Sequence, residues 1–218
     1  MKLFTVIASL LLFAACTKAQ TKPPITRTVT DHVLTSKSTP AVRLEFDPAF
    51  KYAGAQSFVL YDVANAEQHF FVDADKDGRI KRFYWIQFEG YLPTNTHTYN
   101  YKSNHTADIG DFRFFVDTYA RSVKPGDPGR PNSDGAYTRA FLASKGFQMP
   151  GPELVYVRLV HMTDETKRNE LMIIYMEDLS EQGLTAADLA EGGAARGRWA
   201  EVEKGILERA LKYMKVSK

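Results

Sequence analysis

Two histidines and two glutamates, His69, Glu89, His161 and Glu177, sit inside apolar, strand-like runs. A histidine beside a carboxylate is the usual equipment for general acid–base hydrolysis, and these four would supply it if their strands were neighbours. A second set points to binding rather than catalysis. In the run RIKRFYWIQFEGY, residues 79–91, alternation places Ile80, Tyr84, Ile86 and Phe88 on one face and Phe83, Trp85, Gln87, Glu89 and Tyr91 on the other. Neither face reads as solvated, so both need cover, either from a second layer or from a ligand. An aromatic surface carrying a few polar groups is the usual lining of a small-ligand pocket. Arg158, set among Tyr156 and Val160, joins this set; a cation there requires a carboxylate partner or an exit to the sheet edge, with Glu89 and Glu177 as the candidate partners.

Metal chemistry is suggested by one stretch. Asp73, Asp75 and Asp77 lead into Gly78, in the order of the first half of a calcium-binding loop. An EF-hand loop also needs a bidentate glutamate at its twelfth position and a helix on each side. Counted from Asp73, the twelfth residue is Tyr84, and both flanks alternate as strands. The stretch is therefore expected to be a hairpin turn with Gly78 at positive φ and the aspartates bonding nearby backbone N–H groups. A looser calcium site on the three aspartates is the functional alternative. His97 and His105 lie eight apart in a polar loop, which is not a metal-ligand spacing. The GxSxG elbow, the P-loop, HExxH, CxxC and the dinucleotide fingerprint are all absent, and no cofactor is expected.

The elements that must hold these groups can be read from periodicity. AVRLEF, SFVLYDV, QHFFVD and the 79–91 run predict four consecutive strands of an antiparallel meander. PELVYVRLVHM and ELMIIYMEDL predict two central strands joined by the charged TDETKRN. Phe112, Phe115, Val116, Tyr119 and Val123 recur at helical spacing and predict a helix from Asp111. A Pro/Gly loop over Lys124–Gly135, a lid or an exposed connection, leads to a second helix with Ser133 or Asp134 at its start and Gly146 at its end. Thr185 and Asp188 mark another helix start, and Trp199, Val202, Ile206, Ala210 and Tyr213 stripe a C-terminal helix. The fold class is α+β: an antiparallel sheet of about six to seven strands, two inserted helices and a C-terminal helix, packed mainly on one face.

The first sixteen residues, MKLFTVIASLLLFAAC, have a basic start, an apolar core too short to span a bilayer and small residues before a cysteine. This resembles a bacterial lipoprotein leader, in which the cysteine after the small-residue box is acylated, and the resemblance makes Cys16 the lipid attachment site. Ordinary cleavage after Ala19, leaving Gln20 as a free terminus, is the alternative. Cys16 is the sole cysteine, so no internal disulfide can form. Residues 17–40, rich in Thr, Lys, Ser and Pro, read as a flexible tether in which a short strand over residues 25–33 is compatible, and residues 41–218 as one globular domain. With 28 basic against 26 acidic residues dispersed along the chain, there is no footprint for nucleic acid.

These readings describe an exported, lipid-anchored cell-envelope domain that binds a small apolar or aromatic ligand or a protein partner without catalysis. A secreted hydrolase with a dispersed His/carboxylate site and a structural lipoprotein docking in an envelope assembly are the alternatives.

Overall fold

The computed structural model describes residues 22–218 apart from 104, 125 and 128. The leader and its Cys16, with residues 17–21, lie outside the described residues. Among the described residues eleven strands form two antiparallel sheets. The smaller sheet runs β1 (Thr28–Thr30), β2 (Val33–Lys37), β3 (Ala41–Phe46) and β11 (Met214–Ser217), in that spatial order. The larger contains β4 (Lys51–Leu60), β5 (Ala64–Ala74), β6 (Ile80–Tyr91), β7 (Thr106–Ile109), β8 (Phe112–Ser122), β9 (Glu153–Met162) and β10 (Asn169–Asp178), ordered β4-β5-β6-β10-β9-β8-β7. Three α-helices complete the fold: α1 (Asp134–Ser144), the single-turn α2 (Ala186–Leu189) and α3 (Trp199–Lys212). No helix among the described residues is long and apolar enough to cross a membrane.

The larger sheet is the middle of three layers. Alternation along β6 sends Tyr84, Ile86 and Phe88 into one core, with Leu44 and Phe46 of the smaller sheet and Val202, Ile206 and Ala210 of α3. Phe83 and Trp85 enter the opposite core, closed by Leu142 of α1 and by Phe141, whose ring stacks on Phe70 at 5.1 Å. Strands covered on both faces explain the near-continuous apolar runs of β6 and β10.

The seven antiparallel strands of the larger sheet, the helix over 134–144 and the C-terminal helix agree with the sequence reading, whereas the single sheet expected there is two sheets of eleven strands among the described residues. The residue order at the helix ends shows why: Ser133 Oγ accepts from Ala136 N, Thr185 and Asp188 form a reciprocal capping box, and the α3 stripe is buried at Val202, Ile206 and Ala210.

Four expectations are corrected. The segment from Asp111 is not a helix but strand β8, paired with both β7 and β9. Phe112, Phe114 and Val116 point into the core at a period of two, and the helical stripe borrowed two of the same residues. Aromatic and β-branched side chains fit a pleated surface better than a helix, and β9 supplied the partner that decides it. Strand β3 belongs to the smaller sheet rather than to a meander with β4, β5 and β6. The helices do not share a face: α3 and α1 cover opposite sides of the larger sheet, because that sheet has no solvated side to leave open. The tether expected over 17–40, with room for one short strand at 25–33, instead carries two paired strands, β1 and β2, with Leu34 fully buried. The few apolar groups there suffice because the preceding backbone is clamped by a carboxylate. Glu67 accepts from Thr26 N at 3.0 Å, Thr26 Oγ1 at 2.9 Å, Arg27 N at 2.9 Å and Arg27 Nη1 at 3.0 Å.

Candidate functional site

The face of β6 that carries Phe83, Trp85, Gln87 and Glu89 turns toward α1 and bears a continuous polar network at one end. Gln56 Nε2 donates to Gln68 Oε1 at 2.8 Å, Gln68 Nε2 to Gln87 Oε1 at 2.7 Å, and Gln87 Nε2 to Glu89 Oε2 at 2.6 Å. Trp85 Nε1 joins at Gln87 Oε1, 3.2 Å away. The register that aligns Gln56, Gln68 and Gln87 across β4, β5 and β6 is what makes the chain possible. It ends in two carboxylates directly opposite one another, Glu89 on β6 and Glu170 on β10. Each has its own tyrosine: Tyr99 donates its hydroxyl to Glu89 at 2.6 Å, and Tyr101 donates to Glu170 at 2.7 Å.

Paired carboxylates out of water cannot both ionise cheaply. Burial and then the Glu89 charge push Glu170, only 2% exposed, up to about 8, against the opposing pull of Tyr101 and Arg158. Burial also raises Glu89, more than the hydrogen bonds from Tyr99 and Gln87 lower it, and burial raises Asp134 at the head of α1. The Glu89–Glu170 pair therefore retains a proton at neutral pH.

Arg158 shares this face but pairs with neither predicted carboxylate. Its Nη2 donates to Asp117 on β8 at 2.7 Å, and the guanidinium lies over Tyr101 and Tyr119 at 5.3 and 5.6 Å from their centroids. Asp117 faces Arg158 directly in the β8–β9 register, a pairing hidden from the sequence while 111–123 reads as a helix. Glu177 is on the opposite face, held by Arg209 of α3 through contacts of 2.7 and 2.9 Å. Tyr91 leaves the strand end, stacked on Tyr99 at 4.4 Å, and with Glu89 lines a small polar cleft of about 300 Å³ beside Thr26 and Asn169.

The four acid–base candidates are not brought together. Glu89 faces α1, whereas His69 and His161 lie on the other side with Glu177. His69 on β5 and His161 on β9 are three strands apart, about 14 Å at ordinary strand spacing. His161 Nδ1 lies 2.9 Å from Arg113 O and its ring meets Phe112 edge-on. His69, fully buried, bridges Glu67 Oε1 at 2.8 Å and the Tyr52 hydroxyl at 3.0 Å. Burial and the Glu67 charge push Tyr52 up to about 12, the reverse of an activated nucleophile.

The aspartate turn takes the hairpin form. Asp75 Oδ1 accepts from Asp77 N and Arg79 N, both at 2.9 Å, and Asp73 is engaged by Arg82 Nε at 2.7 Å. Among the described residues no group of three or more His, Cys, Asp or Glu is placed to hold a metal.

A mainly apolar concavity lies on the outer side of α1. The sheet-facing side of this helix buries Thr138 and Leu142, and the outer side carries Ala136, Ala140 and Ala143 at spacings of four and three. Opposite these alanines stand Val123, Phe147, Met149 and Leu154, enclosing a cleft of about 1020 Å³ whose lining is mainly apolar. Its other walls come from Val123, Lys124, Gly126, Asp127, Gly129 and Pro131 on one side and from residues 147–152 on the other. The sequence reading placed the ligand surface on Phe83, Trp85, Gln87, Glu89, Tyr91 and Arg158; Phe83, Trp85 and Gln87 are covered by α1, and none of the six lines this cleft. A small-residue stripe in AYTRAFLAS, beside prolines on both sides, was the available signal. Comparisons of the chain with family models, with curated proteins and with solved structures return no match.

Proposed function

We propose that this chain is an exported domain, anchored in the cell envelope by a lipid on Cys16, which binds a small apolar ligand between α1 and the segment over 147–154. The cleft of about 1020 Å³ lined by alanine, proline, Phe147, Met149 and Leu154 is the observation that carries the reading. Clefts of a few hundred to about 1,000 Å³ with apolar walls suit small molecules, and burial there contributes roughly 25 cal/mol per Å² of apolar surface removed from water. The glutamine–carboxylate network behind α1 gives the cleft a fixed floor, since Gln56 and Gln68 bond the carbonyls of Tyr137 and Asp134 in the first turn of the helix.

The test is a melting scan of the purified domain against apolar ligands of graded length, repeated with Ala140→Trp, which fills the cleft from its outer wall. Melting rises with chain length in the wild type and is indifferent to ligand in the variant. No rise with any ligand sinks the binding reading. Intact mass of protein from the native membrane fraction tests the anchor separately: acylation at Cys16 supports it, and a free Gln20 terminus removes it.

A further inference from the structure

Three of the eleven tyrosines are exposed to nearly the same extent, Tyr52 at 37%, Tyr61 at 40% and Tyr119 at 38%. Their neighbours differ. We infer that Tyr52 is a redox-active tyrosine, which gives one electron to a radical oxidant arriving from solvent while its hydroxyl proton passes to His69. Tyr61 and Tyr119 have cations where Tyr52 has a base. The Arg130 guanidinium lies 4.9 Å from the Tyr61 ring centroid, and Arg158 Nη2 donates to the Tyr119 hydroxyl at 3.2 Å. A positive charge beside a phenol opposes the loss of its electron.

The relay is built by strand alternation. Glu67 and His69, two apart on β5, share a face, and Tyr52 on the edge strand β4 stands opposite Phe71, the next residue of that face. His69 is fully buried, its Nε2 2.8 Å from Glu67 Oε1 and its Nδ1 3.0 Å from the Tyr52 hydroxyl. Glu67 is ionised at neutral pH and a carboxylate only accepts, so Nε2 carries a proton. In the neutral imidazole Nδ1 is then the bare nitrogen, and the Tyr52 hydroxyl donates to it. Bonds from Thr26 and Arg27 fix the Glu67 carboxylate, which stays in place to face an imidazolium. In the step, the Tyr52 O–H bond breaks and an Nδ1–H bond forms, while the oxidant is reduced by one electron. A neutral tyrosyl radical is left beside the imidazolium. Transfer of the proton with the electron matters here, because burial and the Glu67 charge push Tyr52 up to about 12 and keep the phenolate out of reach at neutral pH. None of the three residues lines the cleft beside α1.

The test compares the three exposed tyrosines within one protein. Peroxynitrite in bicarbonate buffer at neutral pH releases carbonate radical, the one-electron oxidant, and nitrogen dioxide, which adds to the ring of a tyrosyl radical. The displaced ring hydrogen restores the hydroxyl, and the imidazolium gives its proton to solvent. Peptide mass spectrometry then measures nitrotyrosine at each position. Tyr52 is expected to lead Tyr61 and Tyr119 by at least about ten-fold, a modest demand beside the ~10²–10⁴-fold that a positioned base contributes. In His69→Gln, whose amide can accept the hydroxyl but cannot take its proton, the lead should collapse. Iodination by triiodide, which needs the phenolate, is the control, and there Tyr52 should trail the other two. A nitration yield at Tyr52 no higher than at Tyr61 and Tyr119 overturns the relay. A Tyr52 lead with both reagents also overturns it, since accessibility alone would then explain the pattern, as does a folded His69→Gln that keeps the lead. The wild-type comparison decides the matter even if the variant does not fold.

Discussion

Glu170 is the residue whose environment departs furthest from its solution chemistry while still titrating in an accessible range. With its carboxyl raised to about 8 from an ordinary 4.5, the folded protein holds a proton that the unfolded chain has released. The associated stability is complete below about 4.5 and is lost as pH rises through about 8. Glu170→Gln keeps the acceptor for Tyr101 and removes the charge. Its denaturation midpoint is expected to lose most of this pH dependence, and the variant to exceed the wild type at pH 9 by on the order of a few kcal/mol. Urea titrations at pH 5, 7 and 9 check this; a variant that tracks the wild type across that range would show that the pair carries no proton.

At the scale of elements, the β5–β6 hairpin shows how a motif can be read correctly for its backbone and wrongly for its ions. Gly78 has φ of +80°, and a Cβ there would meet the Gly146 carbonyl oxygen at 2.4 Å, so the turn is locked against the end of α1 as well as closing its own strands. Backbone bonds reinforce the lock: Gln148 N donates to Gly78 O and Ile80 N to Gln148 O, each at 2.9 Å. Gly78→Ala should therefore cost about 1–3 kcal/mol, more than an exposed hairpin turn would, and its melting curve measures it. The turn, the capped helix at 134 and the striped α3 were legible because local residues determine them. Strand β8 was not, because Phe112 and Val116 satisfy a period of two as well as a helical stripe, and only the β9 edge chooses between them. The site suffered in the same way. Glu89 was visible as a polar group on an aromatic strand, but Glu170 becomes its partner only through the β6–β10 register, and the cleft is assembled from segments that are unremarkable alone.

Across the whole molecule, Glu67 is the joint between the two sheets. It belongs to β5 of the larger sheet, yet its oxygens receive four hydrogen bonds from Thr26 and Arg27, the residues that lead into β1 of the smaller one. Burial alone would raise its carboxyl; the bonds from His69, Arg27 and Thr26 outweigh that and hold it at about 2. A depressed carboxylate stabilises the fold above its ordinary 4.5, and that contribution is lost as pH falls through about 2. Glu67→Ala is expected to cost about 2–4 kcal/mol and to speed amide exchange over residues 26–37 ahead of the rest, a pattern that hydrogen exchange resolves. Uniform loss of protection would show instead that the sheets unfold as one unit.

The smaller sheet also sets a schedule. Its strand β3 lies between β2 and β11, with Phe46 opposite Met214, so the layer joins opposite ends of the sequence. A chain delivered across a membrane from its amino end would present Leu44 and Phe46 long before β11 emerged to flank them. Contacts of such separation are slow to form. In the export proposed above, β3 would therefore stay without its β11 neighbour until the last strand had crossed.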